Sequence, residues 1–106
     1  MTNYYFIAAS EKFLTEEEPI EEILKERRRN YKENNKDIDF WLLKRPSFLK
    51  ASEFNELYKK IPQPQAAVLS TDKKFITFLK LRCEFVAYGV FNLPNKEISD
   101  PLAVEG

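Results

Sequence analysis

The chain has no histidine, one cysteine and two glycines among its 106 residues. Without histidine, it lacks the imidazole that many proteins use as a general base, nucleophile or metal ligand. A single cysteine excludes an internal disulfide, a zinc knuckle and an iron–sulfur site. Gly89 is the only glycine before Gly106, which excludes a phosphate-binding loop and a dinucleotide-binding fingerprint. The composition therefore argues against an enzyme that works alone.

The chain also lacks net charge and long apolar runs. Its 17 basic residues balance its 17 acidic residues, which removes the simplest electrostatic argument for binding nucleic acid or a membrane. No apolar run approaches the roughly 20 residues that span a bilayer, so we expect no transmembrane segment. Residues Met1–Ser10 lack the basic region of a signal peptide. A hydrophobic fraction of 43% predicts one small globular domain, and the single cysteine suits a reducing compartment.

Hydrophobic periodicity predicts alternating strands and helices. Strands are predicted at Asn3–Ala9, Asp37–Arg45, Gln65–Ser70 and, as a short fourth strand, Val90–Asn92. A helix is predicted from Glu16 to the polar break at Asn34, because acidic residues begin it and basic residues end it. A shorter helix is predicted from Ser52 to Lys60. Because Asp37–Arg45 carries large apolar residues on both faces, we expect that strand to be central.

The segment Lys73–Tyr88 fits two patterns. Leu79–Phe85 alternates like a strand, yet the segment is too long for an ordinary strand. Its apolar residues also recur with the helical period, at Phe75, Phe78, Leu79, Phe85 and Val86. Possible caps at Ser70 and Thr71 and a glycine after the end, Gly89, favour a helix.

The order of these elements is compatible with an α/β or an α+β fold. We expect an α+β fold with a small, three- to four-stranded, largely antiparallel sheet packed with helices. Residues 1–92 are predicted to form a single globular domain, and residues 93–106 an extended C-terminal tail.

Two arginines lie inside predicted apolar stripes, Arg27 on the first helix and Arg82 on the last. A guanidinium in such a position reaches water, pairs with a buried acid, or belongs to a surface that another protein covers. Asp39, between Ile38 and Phe40 on the second predicted strand, is the obvious partner acid. It is itself unusual, because strands disfavour Asp. The set Asp39, Phe40, Trp41 and Arg82 has the composition of an interface hot spot. Core packing alone is a fair alternative for Phe40.

Other chemically interesting groups have simpler explanations. Glu18, Glu22 and Glu26 stack on one helical face, but a di-iron site of that type also needs Glu-x-x-His pairs, so a solvated face is expected. The basic run Arg27–Arg29 is better explained by its position near the negative end of a helix dipole than by contact with nucleic acid. Cys83 has apolar neighbours and no imidazole partner, which favours an inert core thiol over a reactive one. We therefore expect no catalytic residue, metal ligand or cofactor.

Several segments together resemble one known family. They are AASEKFL (Ala8–Leu14), EEEPIEEILKERRRNY (Glu16–Tyr31), DIDFW (Asp37–Trp41), LSTDKKFI (Leu69–Ile76), LKLR (Leu79–Arg82) and DPLA (Asp100–Ala103). The chain resembles the small cyanobacterial and plastid accessory protein of the aerobic magnesium-protoporphyrin IX monomethyl ester oxidative cyclase. The matched segments extend over nearly the whole chain.

The resemblance implies a role in chlorophyll biosynthesis, at the ring closure that yields protochlorophyllide. It implies a non-catalytic factor that binds the membrane-bound di-iron cyclase subunit and supports its accumulation or activity. Asp39, Phe40 and Arg82, in the matched DIDFW and LKLR motifs, would then contact the cyclase. The expected location is the cytoplasm of a cyanobacterium or the plastid stroma, at the thylakoid membrane through the partner. Other enzymes of the same pathway are further candidate partners.

A different class of function stays open at this point. A tetrapyrrole-binding module would deliver or shield the pigment in an apolar groove, lined by Trp41 and the phenylalanines of the last helix. Histidine, the commonest magnesium ligand expected in such a site, is missing from the sequence.

Overall fold

Strands and helices alternate along the chain in the computed structural model, which describes residues 1–105. The main elements of that range are β1 (Thr2–Ser10), α1 (Ile20–Glu33), β2 (Phe40–Lys44), α2 (Asn55–Lys60), β3 (Gln65–Ser70), α3 (Lys73–Cys83) and β4 (Ala87–Leu93). A π-helical turn at Phe13–Glu17 precedes α1, and 3₁₀ helices at Ser47–Lys50 and Ser52–Phe54 precede α2. All four predicted strands and all three predicted helices are therefore present, with shifted ends except for β3, which has its predicted bounds.

The strands form one antiparallel sheet in the order β2-β3-β1-β4 within the described residues. Ile7 in β1 pairs with Val68 of β3 on one side and with Tyr88 of β4 on the other. The α+β fold predicted from the sequence is thus confirmed. The prediction that the second strand is central is wrong, because β2 lies at an edge and pairs only with β3 among the four strands.

The sheet separates two apolar cores. On one face, α1 and α3 pack through Leu24, Ile76 and Leu79 against Ile7 and Val68 of the central strands. On the other face, phenylalanines from several elements form an aromatic cluster, namely Phe6, Phe48, Phe54 and Phe91. Because both faces are covered, even an edge strand carries large apolar side chains on both sides. This explains why the sequence pattern of β2 wrongly predicted a central strand.

The ends of α3 differ from the sequence prediction. Asp72 caps the helix, with its Oδ1 accepting from the backbone N–H groups of Lys74 and Phe75 at 3.0 and 3.4 Å, rather than Ser70 or Thr71. The helix ends at Cys83, since Glu84 takes a positive φ of 58°. Tyr88 and Gly89 therefore belong to β4, which is longer than the predicted fourth strand.

The C-terminal segment lies against the domain. The Ser47 N–H donates to the Ala103 carbonyl, and the Glu105 N–H donates to the Arg45 carbonyl, both at 2.9 Å. Ile98 is buried in the aromatic cluster on the second sheet face. This segment, expected to be an extended tail, contributes to the cover of that face.

Gly89 is required by the packing of Phe6, which is fully buried. A Cβ atom at position 89 would lie 2.3 Å from Phe6 Cζ and 2.6 Å from Phe6 Cε2. We expect Gly89→Ala to lower the free energy of unfolding by about 1–3 kcal/mol, the usual cost of overpacking. Urea unfolding measures the change, with Asn92→Ala at an exposed position of the same strand as control. Equal stability of the two variants would contradict the prediction.

Candidate functional site

A chain of side-chain hydrogen bonds joins α1 to the starts of β2 and α3. Arg27 Nη2 donates to Asp72 Oδ2 at 2.9 Å and to the Tyr31 hydroxyl at 2.8 Å. The Tyr31 hydroxyl in turn donates to Asp39 Oδ1 at 2.9 Å. One guanidinium and one phenol thus connect two carboxylates, and we call these four residues the Arg27 network.

The backbone holds both carboxylates of the Arg27 network in place. The Asp39 carbonyl accepts from the Ser70 hydroxyl at 2.8 Å and from the Thr71 N–H at 3.2 Å. The Ser70 hydroxyl also accepts from the Asp72 N–H at 2.9 Å. Phe40 pairs with Ser70 in the β2–β3 ladder, so the strand register itself brings Asp39 and Asp72 near each other. The network is therefore built into the fold.

Aromatic rings surround the Arg27 guanidinium. Its central carbon lies 3.8 Å from the ring centroid of Phe75, 5.0 Å from that of Tyr31 and 5.4 Å from that of Phe40. Phe40 packs edge-on against both other rings. These distances allow cation–π attraction, while Arg27 Nε is buried without a hydrogen-bond partner among the described residues. Of the three explanations considered for Arg27, internal pairing is correct, but its acid is Asp72 and not Asp39.

An open groove of about 540 Å³ lies beside the network, between α1 and α3. Its lining combines charged, amide and apolar side chains, including Ile23, Glu26, Asn30, Lys74 and Phe78 as well as members of the network. The groove makes one side of the Arg27 guanidinium accessible to a binding partner, because that side chain keeps 24% of its surface exposed.

The four residues predicted as one hot spot are not together. Asp39 belongs to the Arg27 network and is half-buried, and Phe40 packs beside the network and is only 1% exposed. Trp41 packs on the opposite sheet face, against the aromatic cluster. Arg82 is exposed near the other end of α3, with its Nε 3.8 Å from Glu18 Oε1. Ten residues separate it from Asp72, which corresponds to about 15 Å along a helix.

The groove predicted for a tetrapyrrole does not form in residues 1–105. Trp41 contacts the core on one sheet face, whereas Phe75 of α3 contacts the core on the other. The sheet lies between them, so the expected lining cannot surround one ligand. That prediction is wrong because β2 directs successive side chains to opposite faces.

Asp72 is the residue of the network that sequence reasoning missed. A signal was present, since an Asp directly before Lys73-Lys74-Phe75 suits a helix N-cap.

No helix within residues 1–105 is long and apolar enough to cross a membrane. Over the same range, no three acidic, cysteine or histidine side chains are grouped to hold a metal ion.

The fold and network define a small α+β protein with helices on both sides of an antiparallel sheet and a charged, aromatic surface between two helices. The sequence profile of the Ycf54 protein family matches residues 2–93, and the chain belongs to this family. The resemblance to a small cyanobacterial and plastid family is thereby confirmed.

Relatives and solved structures agree with this assignment. The chain is 53% identical to a Ycf54-like protein of Synechocystis sp. over 97% of its own length and 77% of that protein. It is 38% identical to the chloroplastic protein YCF54 of Arabidopsis thaliana over 98% of its length and half of that protein. The crystal structure of All0216 from Nostoc sp. PCC 7120 superposes with a TM-score of 0.95 at 52% identity, covering 99% and 97% of the two chains.

The Tyr31 hydroxyl is the middle link of the Arg27 network. We expect Tyr31→Phe to lower the free energy of unfolding by about 1–3 kcal/mol, because two hydrogen bonds to charged groups are lost while the ring packing is kept. Tyr88→Phe on β4, outside the network, is the matched control. Denaturant titration measures both changes. If Tyr31→Phe is no less stable than the control, the hydroxyl bonds do not stabilise the fold.

Cys83 is buried at the end of α3 and is expected to react slowly. Burial raises the pKa of its thiol, the nearby Glu18 carboxylate adds to the rise, and Arg82 opposes it. We expect iodoacetamide at pH 8 to modify the native thiol far more slowly than the urea-unfolded one, since the thiolate is the nucleophile. The pKa of the Cys83 thiol is higher in the folded state than in the unfolded state. The neutral thiol therefore contributes to stability at neutral pH, and this contribution is lost at alkaline pH. Equal labelling rates in both states would contradict this.

Proposed function

We propose that this protein is a non-catalytic accessory factor that binds the di-iron subunit of the magnesium-protoporphyrin IX monomethyl ester oxidative cyclase. It thereby supports protochlorophyllide formation in chlorophyll biosynthesis, and the oxygen chemistry belongs to the partner. The proposal rests on the resemblance of the sequence to that accessory family. Its support from the comparisons is that relatives occur in cyanobacteria, red algae and a chloroplast.

The structural observation that carries the proposal is the Arg27 network with its adjoining groove. A guanidinium, a phenol and two carboxylates are held in one arrangement before any partner arrives. Preorganised side chains lose little conformational entropy on binding, which favours affinity. Aromatic and arginine side chains are also those that contribute most to protein–protein binding. The α1–α3 side of the molecule therefore has the chemistry of a docking surface.

Among the predicted contact residues, Asp39 and Arg82 present charged groups on this α1–α3 side. We assign them to direct contacts with the cyclase subunit. Phe40 acts through its neighbours, because its buried ring packs against Tyr31 and lies beneath the Arg27 guanidinium. Trp41 lies on the other sheet face and is outside this surface. The cyclase subunit would hold the protein at the thylakoid membrane.

Binding to the purified cyclase subunit tests the proposal. We expect Asp39→Asn and Arg82→Ala each to weaken the complex by about tenfold or more, the loss that corresponds to ~1.4 kcal/mol. Lys59→Ala, an exposed basic residue on α2, is the control for Arg82 and should bind like the wild type. Thermal unfolding verifies that each variant is folded. Wild-type affinity of both folded variants would rule out this docking surface.

A further inference from the structure

Large apolar residues are exposed on the outer side of α3 and just beyond its end. Phe78 is 51% exposed, Leu81 is 74% exposed, and Phe85, just beyond the helix end, is 81% exposed. Single exposed apolar residues are ordinary on protein surfaces. Neighbouring ones at a spacing of three and four residues are less ordinary and mark a binding surface. We call these three residues the α3 stripe.

Basic residues accompany the α3 stripe. Within Lys73–Cys83 the sequence contains no acid, but it contains Lys73, Lys74, Lys80 and Arg82. Although the whole chain has no net charge, α3 therefore carries four positive charges. Such a helix attracts a partner with acidic side chains.

An open groove lies at each end of the α3 stripe. Phe78 lines the groove of about 540 Å³ between α1 and α3. Phe85 lines a second groove of about 440 Å³, whose wall is largely apolar and includes Phe13, Leu57 and Ile61. Leu57 and Ile61 belong to the core on the other sheet face, so the two grooves open on different sides of the molecule.

We infer that the α3 stripe binds one amphipathic helix of the partner, packed alongside α3. One apolar side chain of that helix enters the groove between α1 and α3 beside Phe78, and another, one turn away, contacts Leu81. Acidic side chains beside them face Lys74 and Arg82. This is the helix-in-groove mode of recognition, in which apolar anchors recur at i and i+3 or i+4. The inference rests on the proposed function, since the partner is the cyclase subunit.

Carboxylates around the α3 stripe favour a protein helix over a lipid surface. Glu18 lies beside Arg82, Glu26 lines the groove next to Phe78, and Glu84 directly precedes Phe85. An anionic bilayer would place its negative headgroups against these acids, which costs free energy. A partner helix, in contrast, can carry acidic side chains only at the positions that face the basic residues of α3. Its side chains also fill a groove that a bilayer surface does not enter.

Serine substitutions in the α3 stripe test the inference. We expect Phe78→Ser, Leu81→Ser and Phe85→Ser each to weaken binding to the purified cyclase subunit by tenfold or more. Their unfolding temperatures should match the wild type, because all three side chains are exposed. Leu102→Ser, at an exposed leucine of the C-terminal segment, is the matched control and should bind normally. Lys74→Glu should weaken binding as well, and more strongly at low salt.

The outcomes separate the inference from the proposed function. If the wild type does not bind the cyclase subunit, both fail. If the wild type binds and the three serine variants bind equally well, only the inference is overturned. Sedimentation with phosphatidylglycerol vesicles that Leu81→Ser abolishes would assign the stripe to a bilayer and overturn it. A wild-type dimer that Leu81→Ser dissociates would assign it to a second copy and overturn it too.

Discussion

The burial of the Arg27 guanidinium among aromatic rings is the constraint on which this side of the molecule depends. A charge in such surroundings is tolerated only when it is paired and hydrogen-bonded. Asp72 supplies the pair, with 32% of its side chain exposed, so the bond is partly screened. The same carboxylate caps α3, and Tyr31 carries the connection on to Asp39. One ion pair therefore connects the start of α3 with α1 and, through Tyr31, with the half-buried carboxylate of Asp39.

The rest of the fold makes that arrangement rigid. β3 is buried along its whole length and separates the two cores, so its register with β2 cannot shift without exposing one of them. That register brings Ser70 opposite Phe40 and places the Asp39 carbonyl within reach of the Ser70 hydroxyl. The aromatic cluster on the far face, closed by Ile98, supports the sheet from behind. The surface on the α1–α3 side is thus supported by both cores.

Local patterns predicted most of the fold, and long-range contacts account for the errors. β3 matches its predicted bounds because a short apolar run between prolines and a polar segment has few alternatives. Internal pairing was one of three explanations that the sequence left open for Arg27. Its acid lies 45 residues away and is brought near by the β2–β3 pairing, which no local pattern reveals. The periodicity around Arg82 predicted an apolar environment. That arginine is instead exposed, because the inner side of α3 is occupied by Phe75, Leu79 and Cys83.

The two ends of the α1–α3 surface suit different parts of a binding event. At the Arg27 end, the polar groups are already oriented by internal hydrogen bonds, so they select a partner by geometry and lose little entropy on binding. At the Arg82 end, Leu81 and Phe85 provide exposed apolar area, whose burial is favourable but not directional. Positive charge on α3 and negative charge near the start of α1 cancel in the total but not locally. The proposed partner would therefore be selected by the order of charges along the surface, which a net charge of zero does not reveal.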